Sequence, residues 1–179
     1  KFNRHMSTHY EDSWKYFQKH LENKECVDIG IWMGHDNKRA HEDFNLTTTW
    51  GIEPHKQLRA LCKKILPNVK LVNSIDQLQD TIETDAIIMF GVISLFGPQW
   101  QNTISEIFAK ISAPIVLIRH YLDGIKLDIG RDLRDYNLYN LSDYSHAPSI
   151  EEIHKVMEKY NYFVADYNNQ DTWLYRKET

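Results

Sequence analysis

The stretch Glu25-Cys26-Val27-Asp28-Ile29-Gly30-Ile31-Trp32-Met33-Gly34 decides the fold. Its first half is a short apolar run with a β-branched residue, the pattern of a strand buried on both faces. The run ends at Gly30, and Gly34 follows where a tight turn needs a positive φ or a close backbone approach. A buried strand that empties into a glycine-bearing turn places that turn at the carboxyl end of the strand. In an open α/β sheet this is where ligands bind.

Reading outward, similar runs appear at Thr48–Glu53, Val69–Asn73, Asp85–Phe90 and Pro114–Arg119. Amphipathic stretches separate them. Pro54–Leu66 carries Leu58, Leu61, Cys62 and Ile65 at helical spacing, and Pro98–Ile111 carries Ile104, Ile107, Phe108 and Ile111. Ser149 followed by Glu152 fits a capping box for a helix to about Tyr160, with Ile153, Val156 and Met157 as its buried stripe. Two aromatic-rich strands, Tyr162–Tyr167 and Thr172–Arg176, close the chain as a hairpin. A helix over Tyr10–Leu21 precedes the first strand. The segment His35–Asp43 is too polar for a helix beneath a sheet, so it reads as a loop or a helix displaced to the surface. This order predicts an α/β, doubly wound, mostly parallel sheet with helices on both faces and right-handed crossovers.

The 179 residues suit one domain, expected over 7–179, with His5-Met6 resembling a cloning remnant. Hydrophobic residues at 42% and charged residues at 26% exclude disordered, collagenous and coiled-coil classes. No apolar run approaches the ~20 residues of a membrane span, and no apolar signal core opens the chain. Net charge is −4, and the best basic cluster is Lys63-Lys64, so nucleic acid is not an expected partner. Cys26 and Cys62 sit in apolar patterns and read as buried thiols of a reducing compartment, here the cytoplasm. No metal site is expected, because His35 and His41 lack ligand spacing and no His-Glu-x-x-His run exists.

The strand ends name the candidate site. Glu53 closes the second strand, where a carboxylate can accept both hydroxyls of a ribose. Phe90-Gly91 opens an apolar bend after the fourth strand. For each of these a structural reading stays open: Gly30 and Gly34 as turn formers, Glu53 as an unliganded strand-end acid, Asp28 as a cap of the following turn.

With these residues in view, the chain resembles class I S-adenosylmethionine-dependent methyltransferases over about Tyr10 to Arg176. The resemblance implies a seven-stranded sheet whose last strand is antiparallel, with S-adenosylmethionine as cofactor. It also implies that Asp28, Gly30, Trp32 and Gly34 wrap the methionine part, Trp32 replacing the loop's middle glycine. Glu53, with Pro54 after it, would meet the ribose. Ser74 lies in the stretch that usually meets adenine, and Phe90 and Gly91 would support the cofactor from below. The N-terminal helix, through Tyr10 and Trp14, would close the pocket.

Phe90-Gly91-Val92-Ile93 stands where amino-methylating DNA enzymes carry Asp/Asn-Pro-Pro-Tyr/Phe, and the lysine–aspartate–lysine–glutamate set of ribose-methylating RNA enzymes is not evident. His120, directly after the fifth strand, is the candidate base; the other reading is a histidine bonded to a loop. Tyr121–Pro148 is long for a connection in a compact domain and is expected to be a substrate-side insertion or lid. Its Tyr121, Arg131, Arg134 and Tyr136 would suit a polar or acidic small molecule. The expected activity is methyl transfer to such a molecule. The alternatives are a catalytically degenerate methyltransferase-like module, motivated by Trp32, and an NAD-dependent oxidoreductase, against which the closing hairpin argues. Acceptor and oligomeric state are not specified by the sequence.

Overall fold

A computed structural model describes residues 10–120, 148–168 and 171–178. Among them, β1 (Glu25–Ile29), β2 (Thr47–Ile52), β3 (Lys70–Val72), β5 (Ala86–Phe90), β7 (Ile115–Arg119), β8 (Tyr162–Tyr167) and β9 (Thr172–Lys177) form one seven-stranded sheet. Its order is β3-β2-β1-β5-β7-β9-β8, parallel except for β9, which runs against both its neighbours. Two further short strands, β4 (Ile82–Glu83) and β6 (Ile111–Ser112), pair separately and in parallel.

Alternation along the strands builds two cores. Ile87 and Met89 of β5 and Val116 and Ile118 of β7 point to one face, where they meet Trp100, Ile104 and Ile107 and also Ile153, Val156 and Met157. Those residues come from helices α4 (Trp100–Lys110) and α5 (Ile150–Lys159). Ala86 and Ile88 of β5 and Ile115 and Leu117 of β7 point to the opposite face. Residues buried on both sides explain why these strands read as continuous apolar runs. The capping box at α5 forms as expected: Glu152 N donates to Ser149 Oγ at 3.3 Å, and Ser149 N donates to Glu152 Oε2 at 2.8 Å.

The second core corrects the reading of residues 35–43. They form helix α2 (His35–Phe44), packed on the sheet rather than displaced or looped. Its buried stripe is narrow: Asn37, Ala40 and Phe44. Two of its polar side chains, Arg39 and Asp43, grip the N-terminal segment, while Asn37 faces the sheet. Arg39 pairs with Glu11 and lies 4.0 Å over the Tyr10 ring, while Tyr10 donates to Asp43 Oδ2 at 2.9 Å. That segment is not one helix either. A π-helical turn, Tyr10–Lys15, leads into the short α1 (Gln18–Leu21), with Tyr10, Trp14, Phe17 and Leu21 all buried. It crosses to the far end of the chain, where Ser13 Oγ lies 3.0 Å from Thr172 Oγ1 and Tyr16 donates to the Tyr167 carbonyl.

The remaining helix, α3 (Lys56–Ile65), buries Leu58 and Cys62. Cys26 and Cys62 are free, buried thiols, as expected. Burial pushes the Cys62 thiol up to about 12. No helix among the described residues is long and apolar enough to cross a membrane.

Phe44 fixes α2 to the sheet while only 3% exposed. Phe44→Ala is expected to lower unfolding free energy by about 3–5 kcal/mol, whereas Leu61→Ala, at a position 40% exposed, should change it by about 0.5 kcal/mol or less. Urea unfolding followed by circular dichroism checks both.

Candidate active site

The carboxyl ends of β1, β2 and β5 converge on the turn Gly30–Gly34. Gly30, Trp32 and Gly34 take φ of +79°, +53° and +75°, so left-handed residues alternate along the turn. Gly30 N donates to the Ile52 carbonyl at 2.7 Å, which ties the turn to β2. A Cβ at Gly30 would lie 2.1 Å from Val92 Cγ1, and one at Gly34 would lie 2.7 Å from Leu66 Cδ1. Both positions favour glycine by their left-handed conformation, and a side chain at either would have to displace its neighbours' side-chain atoms. Trp32 has no such excuse: a bulky aromatic residue at positive φ costs on the order of 1–3 kcal/mol. Its indole Nε1 is buried without a hydrogen-bond partner.

Two acids frame this turn from below. Asp28 is 5% exposed, and Asn37 Nδ2 donates to its Oδ2 at 2.7 Å. Desolvation raises its carboxyl to about 7 against the Asn37 bond, with the nearby Asp36 and Glu53 charges adding to the rise. Glu53, just beyond β2, is 1% exposed. Its Oε1 accepts from His55 N at 2.9 Å, and the Trp32 backbone N–H also bonds its carboxylate. Burial still holds Glu53 above the ordinary carboxylate range. Asp36, at the start of α2, is likewise raised, to about 6, by desolvation, against the opposing charges of Arg39 and Arg119. The rim therefore holds three acids that are costly to ionise as it stands.

The other predicted residues fall around this rim. Pro54 is exposed beside Glu53, and Arg59 Nη1 donates to the carbonyls of both. Ser74, after β3, donates to Asn73 Oδ1 at 2.8 Å. Phe90 ends β5 edge-on to Trp14, with ring centroids 5.1 Å apart, and Gly91 at φ +67° donates to the Arg119 carbonyl. His120 is 4% exposed, receives no solvent-facing role from its position, and donates from Nε2 to the Pro148 carbonyl at 2.6 Å. Tyr121, Arg131, Arg134 and Tyr136 lie outside the described residues.

Sequence reasoning missed the polar residues that hold this arrangement. Asn37 links Asp28 to Thr48 Oγ1. Arg119 and Asp171 form a buried ion pair at 2.8 Å, and Asp171 Oδ1 accepts from Thr172. The spacing of residues 37, 40 and 44 was the signal available for Asn37; none marked the Arg119–Asp171 pair.

The strand order and the single reversed strand β9 define the class I S-adenosylmethionine-dependent methyltransferase fold, and solved structures share it. Magnesium protoporphyrin IX methyltransferase from Synechocystis PCC 6803, with bound SAH, is 10% identical over 97% of this chain and 83% of its own, at a TM-score of 0.65. A putative S-adenosyl-L-methionine-dependent methyltransferase from Methanococcus maripaludis is 13% identical over 97% and 87%, at 0.67. An O-methyltransferase family protein from Burkholderia thailandensis is 10% identical at 0.63; this chain covers 51% of it, about half its length. The sequence matches no family model and no curated protein.

Asp28 also sets a pH dependence. Its folded value near 7 exceeds the unfolded value of about 3.9, so the folded state holds the extra proton and stability falls as pH rises from about 4 to 7. Asp28→Asn removes that loss. The variant should melt with the wild type near pH 4 and above it at pH 8, by up to about 4 kcal/mol, in ligand-free differential scanning calorimetry.

Proposed function

We propose that this chain is an S-adenosylmethionine-dependent methyltransferase acting on an oxygen or nitrogen of a small polar molecule. The observation that carries this reading is the alternation of left-handed residues at Gly30, Trp32 and Gly34 beyond a central strand, with Glu53 closing the neighbouring strand.

The residues present fit the cofactor. Asp28 and Glu53 are desolvated acceptors, suited to an ammonium group and to ribose hydroxyls, and burial raises both carboxyls. Pro54, Ser74, Phe90 and Gly91 would border the nucleoside. When bound, S-adenosylmethionine supplies an activated methyl group on a sulfonium, so the protein's own task is alignment and exclusion of water. The N-terminal segment, held through Ser13 to Thr172 and through Trp14 to Phe90, would cover the site. His120 is the proposed base. Residues 121–148 would be a substrate-side insertion or lid of a single domain, with Tyr121, Arg131, Arg134 and Tyr136 as its proposed contacts to a polar or acidic acceptor. The net charge of −4 supports a small molecule over nucleic acid, and the buried free thiols support a reducing compartment such as the cytoplasm.

A degenerate, ligand-free module is the second reading. It is favoured by Trp32 at the turn's midpoint and by the two backbone N–H groups already on Glu53.

Titration calorimetry with S-adenosylhomocysteine separates the two. Micromolar binding is expected, weakened about 10-fold or more in Glu53→Gln, with the variant's melting checked in parallel. Affinity should rise between pH 6 and 8 as Asp28 ionises, and binding near pH 6.5 should release a proton, seen as heats that differ between buffers of unlike ionisation enthalpy. No heat and no thermal shift would select the degenerate module.

A further inference from the structure

We propose that the outer face of α3, together with Lys70 of β3, is a docking surface for an acidic segment of a partner protein. The inference goes beyond the methyltransferase reading and does not depend on it.

The Lys63-Lys64 pair is the nucleus of this surface. From Pro54 to Ile75 the chain carries Lys56, Arg59, Lys63, Lys64 and Lys70 and no aspartate or glutamate. The rest of the chain holds the other 16 of the 21 lysines and arginines against all 25 acids, a balance of −9. Helical spacing sets Lys56, Lys63 and Lys64 on the side of α3 away from the buried Leu58 and Cys62, and all three are exposed, as is Lys70. Among the described residues, Lys15, Lys19, Lys24, Lys38, Arg39 and Arg119 each pair with a carboxylate, but these four lysines do not. The contacts made on this face go to neutral groups. Lys63 Nζ donates to the Val69 carbonyl at 2.8 Å, Lys70 Nζ lies 5.0 Å over the Trp50 ring, and Arg59 Nη1 donates to the carbonyls of Glu53 and Pro54. Positive charge is thus gathered on one face of an acidic molecule, with the lysines left for an outside partner.

The surroundings select the occupant. β3 ends the sheet with three residues that open on Lys70, an edge too short and too charged to accept a further strand. The helix face is what remains. No Phe, Tyr or Trp occurs from Pro54 to Ile75, and Trp50 is half-buried, so nucleic-acid bases find no open ring to stack on. A long polyanion would also meet the −9 of the remaining chain. Leu61, 40% exposed, lies one helical turn from Lys64. Exposed ion pairs are individually weak, so carboxylates grouped around an apolar side chain that covers Leu61 fit this face better than charge alone.

The test titrates the whole chain into three labelled probes of equal charge, followed by fluorescence anisotropy: a peptide of repeating Glu-Leu-Glu-Glu units, an all-glutamate peptide and a uridine oligonucleotide. The leucine-bearing peptide is expected to bind about 10-fold more tightly than either of the others, and about 10-fold more weakly when salt rises from about 50 to about 300 mM. Lys56→Glu combined with Lys64→Glu should weaken it about 10-fold or more. Lys155→Glu combined with Lys159→Glu, the same charge change on exposed positions of α5, should leave it within about 2-fold. Leu61→Ser should abolish the preference for the leucine-bearing peptide over the all-glutamate one. Melting by circular dichroism checks that each variant is folded. Tighter binding of the oligonucleotide assigns the face to nucleic acid and overturns the proposal. Equal losses in the two charge reversals overturn it, as does a Leu61→Ser chain that keeps the preference. A wild-type chain that binds neither peptide overturns it as well.

Discussion

No side chain fits at residue 30, and much of the molecule is arranged around that fact. Gly30 turns β1 away from the sheet while its N–H holds the Ile52 carbonyl and its missing Cβ makes room for Val92. One left-handed residue thus draws together the carboxyl ends of β1, β2 and β5. The central strand brings Asp28 to the rim, and its neighbour brings Glu53. Had residue 30 carried even a methyl group, it would have met the Val92 side chain at 2.1 Å in a conformation that only glycine adopts freely.

The acids themselves are held at a cost. Desolvation dominates at Asp28, Asp36 and Glu53, and their mutual repulsion at Asp28 adds to it. A protein selected for stability alone would place amides or apolar groups there. Keeping carboxyls in such a place is the usual mark of a site that waits for a positively charged or hydroxylated ligand. Arg119, by contrast, is paired in place with Asp171, and its charge only partly offsets the rise at Asp36.

The parallel strands were legible because burial on both faces leaves uninterrupted apolar runs, as at Ile87-Ile88-Met89 and Ile115–Ile118. The Ser149–Glu152 box was legible because both of its bonds are local. Helix α2 was not. It buries only Asn37, Ala40 and Phe44, and its charged residues serve an N-terminal segment whose docking no local pattern records. The pairing of β4 with β6 was invisible too, since two residues carry no periodicity. At the site, the positions of Asp28, Gly30 and Glu53 could be read from strand ends. The left-handed turn at Trp32, the Asn37 clamp and the bond from His120 to Pro148 could not, because each depends on partners brought close only by the finished sheet.

The contacts of the N-terminal segment carry a consequence for assembly. Ser13 meets Thr172, Tyr16 meets Tyr167 and His20 meets Asp166, pairs separated by 159, 151 and 146 positions. The N-terminal segment must therefore wait for a hairpin made some 150 residues later. Until β9 slots between β7 and β8, Tyr10, Trp14, Phe17 and Leu21 have only part of their burial. Contacts of such long sequence separation slow folding. On the ribosome, the nascent chain would hold four large apolar side chains partly uncovered until the hairpin has emerged.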